Sequence, residues 1–232
     1  MNRLFVTGID TEIGKTYVSA GMLQAWRRTG INAVGMKPVA SGAIQTPNGL
    51  RNDDALALQA ASCGNPRYEL VNPCCLPDAT APEIAARRAG TEIIFEPLDR
   101  AYQTLLAQYE LVLVEGVGGI AVSLSQRLDL IELPRRWQLP CLLVVAIRLG
   151  CLNHAWLSLE YLRQQGIEVL GWVANHLHPD YPDRLEYELM LKERLSAPLL
   201  GRLEANADAQ AFDALAAAVL AKMRARSQSC AG

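Results

Sequence analysis

The sequence has no surplus of charge of either sign. Its 22 lysines and arginines face 24 acids, a net of −2, which provides no basic surface for nucleic acid and no polybasic patch for a membrane. No apolar run approaches the ~20 residues of a membrane-spanning helix. The opening "MNRLFVTG" enters a strand pattern directly, so no signal peptide is expected. Cysteine is sparse: Cys63, Cys74, Cys75, Cys141, Cys151 and Cys230 lack paired metal-ligand spacing. Cys141 and Cys151 sit in or beside apolar runs and read as buried small hydrophobes. A reducing cytoplasm fits these features. Repeats, low-complexity tracts and linkers are also lacking, so residues 1–232 read as a single domain, half of it hydrophobic. The tail "SQSCAG" (227–232) is expected to fray.

What is present is alternation. Apolar runs at Leu4–Thr7, "NAVGMKPV" (32–39), Leu111–Glu115, Cys141–Ile147, Val169–Asn175 and Pro198–Gly201 are continuous, as in strands covered on both faces. Helical patterns lie between them at Lys15–Arg28, Asp54–Ala61, Pro97–Gln108, His154–Gln165, Arg184–Leu195 and Ala209–Arg226. Thr80-Ala-Pro-Glu83 reads as a capping box opening another helix near Ala81. The fold class is therefore α/β, a mostly parallel sheet covered by helices on both faces.

Chemistry enters at "VTGIDTEIGKT" (6–16). Glycine-directed N–H groups at a helix N-terminus cradle phosphate. A lysine then reaches the outer phosphates, and a Ser or Thr hydroxyl joins a Mg²⁺ shell. Gly14, Lys15 and Thr16 have those identities at the first strand-to-helix turn, although five residues rather than four separate Gly8 from Gly14. Glu115 is expected to end its strand beside a flexible "GVGG" turn, where an acid can hold Mg²⁺. Asp54 can lean into the same site, or serve with Asn52 and Asp53 in capping a helix. Lys37 leaves the sheet at the same edge as the loop and can face transferring phosphate, with Ser41 within reach. Asn175 offers a carboxamide to adenine or, equally, a turn. The "HLH" of His176–His178 has no third metal ligand and is expected in a turn.

"TGIDTEIGKT", "GMKPVASG", "RNDDALAL", "EGVGG", "GCLNHAWL" and "GWVAN" occur in the order and spacing of the dethiobiotin synthetase family. That family is similar to phosphate-loop amidoligases and partition-type ATPases, and the lengthened loop is typical of it. The resemblance covers nearly the whole chain. It implies a phosphate-loop NTPase-like fold and closure of a cyclic urea from 7,8-diaminononanoate, CO₂ and ATP. Mg²⁺ is the implied metal and ATP the co-substrate, with no redox cofactor. By resemblance, Lys15 and Lys37 neutralise phosphate and carbamate oxygens, Thr16, Asp54 and Glu115 hold Mg²⁺, and Thr11 and Ser41 bind the carbamate and diamine end. Glu12, Ile13, Gly14, Tyr17, Gly116, Val117, Gly118, Asn175, His176, Glu204, Ala205 and Asn206 fall on nucleotide-binding positions.

The resemblance also implies a homodimer with substrate at the interface. The substrate's tail carboxylate would meet a partner helix N-terminus around Leu149, Gly150, Cys151 and Asn153, together with Tyr187. Two departures bear on base selectivity. Glu204 stands in a stretch that often carries proline, and His176 stands where a small or acidic residue is common. A partition-type switch is a competing reading, but it needs a lysine where this chain has Asp10. A larger amidoligase usually adds a glutaminase domain, for which 232 residues are expected to leave no room. A soluble α/β domain without catalysis is the third alternative.

Overall fold

The computed structural model describes residues 2–229, with side chains as far as Arg226. Six parallel strands form the central sheet: β1 (Asn2–Gly8), β2 (Ala33–Met36), β3 (Leu111–Gly119), β4 (Cys141–Ala146), β5 (Val169–His176) and β6 (Leu199–Glu204). Their spatial order is β6-β5-β4-β1-β3-β2. The chain fills one side of β1 first and then crosses to the other. The carboxyl ends of β1, β3 and β4 therefore meet at a topological switch point, where open α/β sheets bind ligands.

Strand residues alternate between two apolar cores. Leu4 and Val6 of β1 join one core with Val18, Leu23 and Trp26 of α1 (Lys15–Arg28), Leu58 of α2 (Asp53–Ala61) and Val219 near the C-terminus. Phe5 of β1 joins the other with Val112 and Val114 of β3 and Tyr102 and Leu105 of α3 (Phe95–Gln108). Both faces of the sheet are thus covered, which explains why its strands read as unbroken apolar runs. After a short helix at Glu132–Arg136 come three longer ones: α4 (Cys151–Gln164), α5 (Arg184–Arg194) and α6 (Ala209–Ser229). Cys141 and Cys151 are both buried, as their apolar neighbours predict; Cys230 lies outside the described residues.

Several boundaries differ from the sequence expectation, each for a local reason. β3 does not stop at Glu115. A register irregularity lets Val6 pair with Glu115 and Gly8 with Gly119, so the glycine-rich stretch is strand and not a free turn. Glu115 consequently has no exposed surface. β6 runs on through Glu204 because Leu203 and Glu204 pair with Asn175 and His176. α4 starts at Cys151, three residues early, because Gly150 at φ 93° is its N-cap. The Thr80–Glu83 capping box does not form: Ala81 takes the N-cap position and Pro82 opens that short helix without a side-chain cap. α3 begins at Phe95 and α5 ends at Arg194, each within two residues of expectation. α6 continues as helix to Ser229, into the tail expected to fray, and 230–232 lie outside the described residues. Three small strand pairs, such as Val39–Ala40 with Cys74–Cys75, had no distinct sequence signal.

Candidate functional site

The turn between β1 and α1 is built around Gly14. Its φ of 81° is left-handed, and a Cβ there would sit 2.3 Å from Asn175 Nδ2. Only glycine meets both conditions. The Asn175 amide in turn donates to Ile13 O at 2.9 Å, fastening the loop to the end of β5. α1 begins without a side-chain cap and without an acid in its first turn. Its N-terminal amides and the positive end of its dipole are left for an anion.

A cavity of about 380 Å³ opens at this helix terminus. Thr11 to Thr16 of the loop line it, together with Lys37, Ser41, Asp54, Val117, Gly118 and Leu177. Within this lining Lys37 is almost wholly buried. The ammonium donates to Glu115 Oε1 at 2.7 Å, to Asp54 Oδ2 at 2.9 Å and to Gly116 O at 3.1 Å. Thr16 Oγ1 donates to the same Glu115 oxygen at 2.7 Å. Burial opposes charge on Lys37, but the Glu115 and Asp54 carboxylates outweigh it and raise its pKa above the ordinary lysine value. Burial likewise works against an ionised Asp54, and Lys37 reverses the balance, holding that carboxyl below its usual range.

Lys15 is in a different electrostatic position. It is buried, its Nζ donates only to the neutral Asp10 carbonyl at 2.8 Å, and burial together with the nearby Lys37 charge lowers its pKa to about 8. The residues that would hold Mg²⁺ fit that role. Thr16 Oγ1, Asp54 Oδ2 and Glu115 Oε1 converge on one point, at present bridged by hydrogen bonds and the Lys37 ammonium. Glu115 Oε2 is buried with no hydrogen-bond partner, an acceptor a hard cation would satisfy.

The remaining candidates divide into three groups. Tyr17 is not among the residues lining the cavity; its hydroxyl donates to Glu204 O at 3.0 Å and accepts from Ala207 N–H at 2.8 Å. The turn containing Ala205 and Asn206 is thereby pinned to α1, while the Glu204 carboxylate pairs with Arg184 at 2.5 Å. His176 is a buried strand residue and not part of a turn; its Nε2 lies 2.9 Å from Glu188 Oε2. Strand alternation carries its ring to the opposite side from Asn175. Among the described residues no cluster of three or more histidine, cysteine, aspartate or glutamate side chains could hold a metal ion.

Leu149, Gly150, Cys151, Asn153 and Tyr187 do not line the phosphate-loop cavity of their own chain. They gather instead at the start of α4. Tyr181 sits between Tyr187 and the Leu149 backbone, the two tyrosine rings 5.8 Å apart. Leu149 is 78% exposed, whereas the Cys151 side chain is buried. The α4 N-terminus has neither a side-chain cap nor an acid in its first turn. Asn153 is the third helical residue.

Two residues with a place here gave no motif signal. Arg148 donates to Asp10 Oδ2 at 2.6 Å, tying the loop before α4 to the phosphate loop. Leu177, just beyond β5, lines the cavity. Neither belongs to a recognisable spacing, because each is brought in by tertiary contact alone.

A family model described as an AAA domain matches residues 2–211. An ATP-dependent dethiobiotin synthetase BioD of Xanthomonas oryzae pv. oryzae is 50% identical over 208 residues, covering 89% of this chain and 92% of that protein. One of the same name from Xylella fastidiosa is 49% identical over 204 residues, 88% and 90% of the two chains. Among solved structures, the MinC:MinD cell division complex of Aquifex aeolicus matches at TM-score 0.59 with 13% identity, over 95% of this chain and 96% of that one. A ParA family ATPase of Chlorobium tepidum matches at TM-score 0.56 with 12% identity, over 96% and 91%. These last two speak to the fold alone. At 49–50% identity over 88–89% of its length, the chain belongs to the family of ATP-dependent dethiobiotin synthetases.

Proposed function

We propose that this protein carboxylates and cyclises 7,8-diaminononanoate with CO₂ and ATP, giving dethiobiotin, ADP and phosphate in biotin synthesis. One substrate amine adds to CO₂ to form a carbamate, losing a proton. The carbamate oxygen takes the γ-phosphoryl group of ATP. The second amine then attacks the carbonyl carbon and expels phosphate, closing the urea. Both nucleophiles belong to the substrate, so the protein's task is to gather anions and exclude water.

The observation that carries this reading is Lys37, a buried lysine that lines the same cavity as a phosphate-type loop. In this reading Lys15 and the α1 N-terminus bind the triphosphate. Thr16, Asp54 and Glu115 hold Mg²⁺, which supplies neutralisation of phosphate charge. Lys37, released from the two carboxylates, faces the transferring phosphoryl group and the carbamate oxygens. Thr11 and Ser41 hydrogen-bond the carbamate and diamine end. Glu12 to Tyr17, Gly116 to Gly118, Asn175 and the Glu204–Asn206 turn surround the nucleotide. The buried Asn175 Oδ1 has no hydrogen-bond partner and is free to accept from an exocyclic amine.

We further infer a single-domain cytoplasmic homodimer. The Leu149–Asn153 helix start and Tyr187 would serve the partner's site, because in their own chain they stand apart from the cavity. Trp156, Leu157, Leu185 and Leu189 expose apolar surface on α4 and α5, as a subunit contact requires. No helix among the described residues is long and apolar enough to cross a membrane. The deciding experiment incubates the protein with diaminononanoate, bicarbonate and Mg·ATP. Mass spectrometry should show a product that has gained CO₂ and lost water; ADP release without that product would sink the reading.

A further inference from the structure

The Lys37 backbone is gripped from both sides by a segment the reaction itself does not use. Its N–H donates to Val71 O at 2.7 Å, and its carbonyl accepts from Asn72 Nδ2 at 2.6 Å. The second Asn72 amide hydrogen goes to Cys74 O at 3.2 Å. Asn72 Oδ1 accepts from the Tyr68 hydroxyl at 3.0 Å. That hydroxyl in turn accepts from the Asn52 backbone N–H at 2.8 Å. Asn52 completes the chain in two directions. Its Oδ1 caps α2 by accepting from Ala55 N–H at 3.2 Å, and its Nδ2 donates to Ser41 O at 3.1 Å.

Tyr68, Asn72 and Asn52 are each less than a tenth exposed. The Asn72 orientation is set by its partners, because a flipped amide would aim its oxygen at two carbonyls. One phenol hydroxyl therefore joins three backbones: that of Lys37, that of Ser41 and the first turn of the helix bearing Asp54. We propose that Tyr68, through Asn72 and Asn52, is a positioning residue that holds Lys37, Ser41 and Asp54 in one frame for phosphoryl transfer. A packing role alone leaves these bonds unexplained. The ring is already held by the Arg51 guanidinium, 4.0 Å from its centroid, and needs no hydroxyl to stay buried. The consequence is geometric: Lys37 and Asp54 lie 2.9 Å apart and must separate when nucleotide and metal enter. Each then needs a backbone that does not follow the other.

The inference rests on the proposed reaction, but its test includes a readout that does not. Tyr68→Phe keeps the ring and removes the link. It should lower kcat on the order of tenfold at a temperature where the variant is fully folded, and raise KM for Mg·ATP several-fold. Independently of diaminononanoate, calorimetry with a non-hydrolysable ATP analogue should show the Mg²⁺-dependent gain in affinity shrinking several-fold, with metal-free binding unchanged. Asn52→Ser retains an N-cap residue and cuts only the arm to Ser41. It should raise KM for the diamine several-fold and leave KM for ATP alone, and it stands in should Tyr68→Phe fail to fold. A folded Tyr68→Phe enzyme with wild-type kcat and wild-type Mg²⁺ gain would overturn the proposal, as would an unchanged diamine KM in Asn52→Ser. If wild-type protein makes no dethiobiotin but Tyr68→Phe still loses the Mg²⁺ gain, the functional reading fails and the positioning role stands.

Discussion

The Lys37 ammonium lies 2.7 Å from Glu115 Oε1, and both side chains are withdrawn from solvent. A buried pair of this kind is not retained for stability, since its desolvation offsets much of its attraction. In the proposed reaction it stores two charges next to a cavity until an anion and a cation arrive to separate them.

Lys37→Gln should therefore lose turnover far more than nucleotide affinity. Deleting a donor aimed at developing charge costs on the order of 10²-fold in kcat or more, while the phosphate loop still binds the ground state. Steady-state kinetics beside ATP calorimetry measure both. Turnover within a few-fold of wild type would move Lys37 out of the reacting centre.

Nucleotide binding should take up a proton at alkaline pH. Lys15 titrates at about 8 in the free protein because burial and Lys37 oppose its charge, and a triphosphate restores that charge. Below pH 7 it is already protonated. Above about 8 each bound nucleotide must bring a proton, and affinity falls by up to about tenfold per pH unit. Calorimetry at pH 9 in two buffers of different ionisation enthalpy should report nearly one proton taken up, and close to none at pH 7. Equal values at both would contradict the assignment.

Glu188→Gln should destabilise the fold and flatten its acid profile. Burial disfavours this carboxylate's charge, but Arg202, His176 and Lys192 outweigh it and hold the pKa at about 2. Its folded value is lowered, so its contribution is present above about pH 4.5 and lost as pH falls through about 2. Breaking the buried cluster should cost about 2–3 kcal/mol at neutral pH, with half-exposed Arg202 keeping the loss toward the low end. Urea unfolding between pH 7 and 2 is the measurement. A variant losing stability in parallel with wild type over the acid range would place the acid sensitivity elsewhere.

Two inactive variants should restore each other if the site is shared. Lys15→Ala breaks the phosphate loop; Tyr187→Phe with Asn153→Ala breaks the α4 terminus. In a heterodimer one site can combine both intact halves, so up to about half of wild-type activity is the geometric ceiling. Activity is read after subunit exchange is confirmed by mass. Exchanged dimers that stay inactive would place each complete site within one chain.

The sequence by itself determined the order of strands and helices, since strands buried on both faces must be continuous apolar runs and glycines must mark the sharp turns. It also singled out Gly14, Lys15, Thr16, Lys37, Asp54 and Glu115 as candidates, because phosphate and metal chemistry restricts such positions to few residue types. Where each strand ended was a different matter. Glu115 looked like a strand terminus, and only pairing with β1 on its neighbouring register carried β3 on to Gly119 and buried the acid. His176 looked like a turn residue until Glu188, twelve positions later, supplied a partner that stabilises it in the interior. The links from Tyr68 to Lys37, and from Arg148 to Asp10, have no local signature at all. A hydrogen bond between residues 138 positions apart depends on how the sheet brings its strand ends together, and that placement belongs to the tertiary fold.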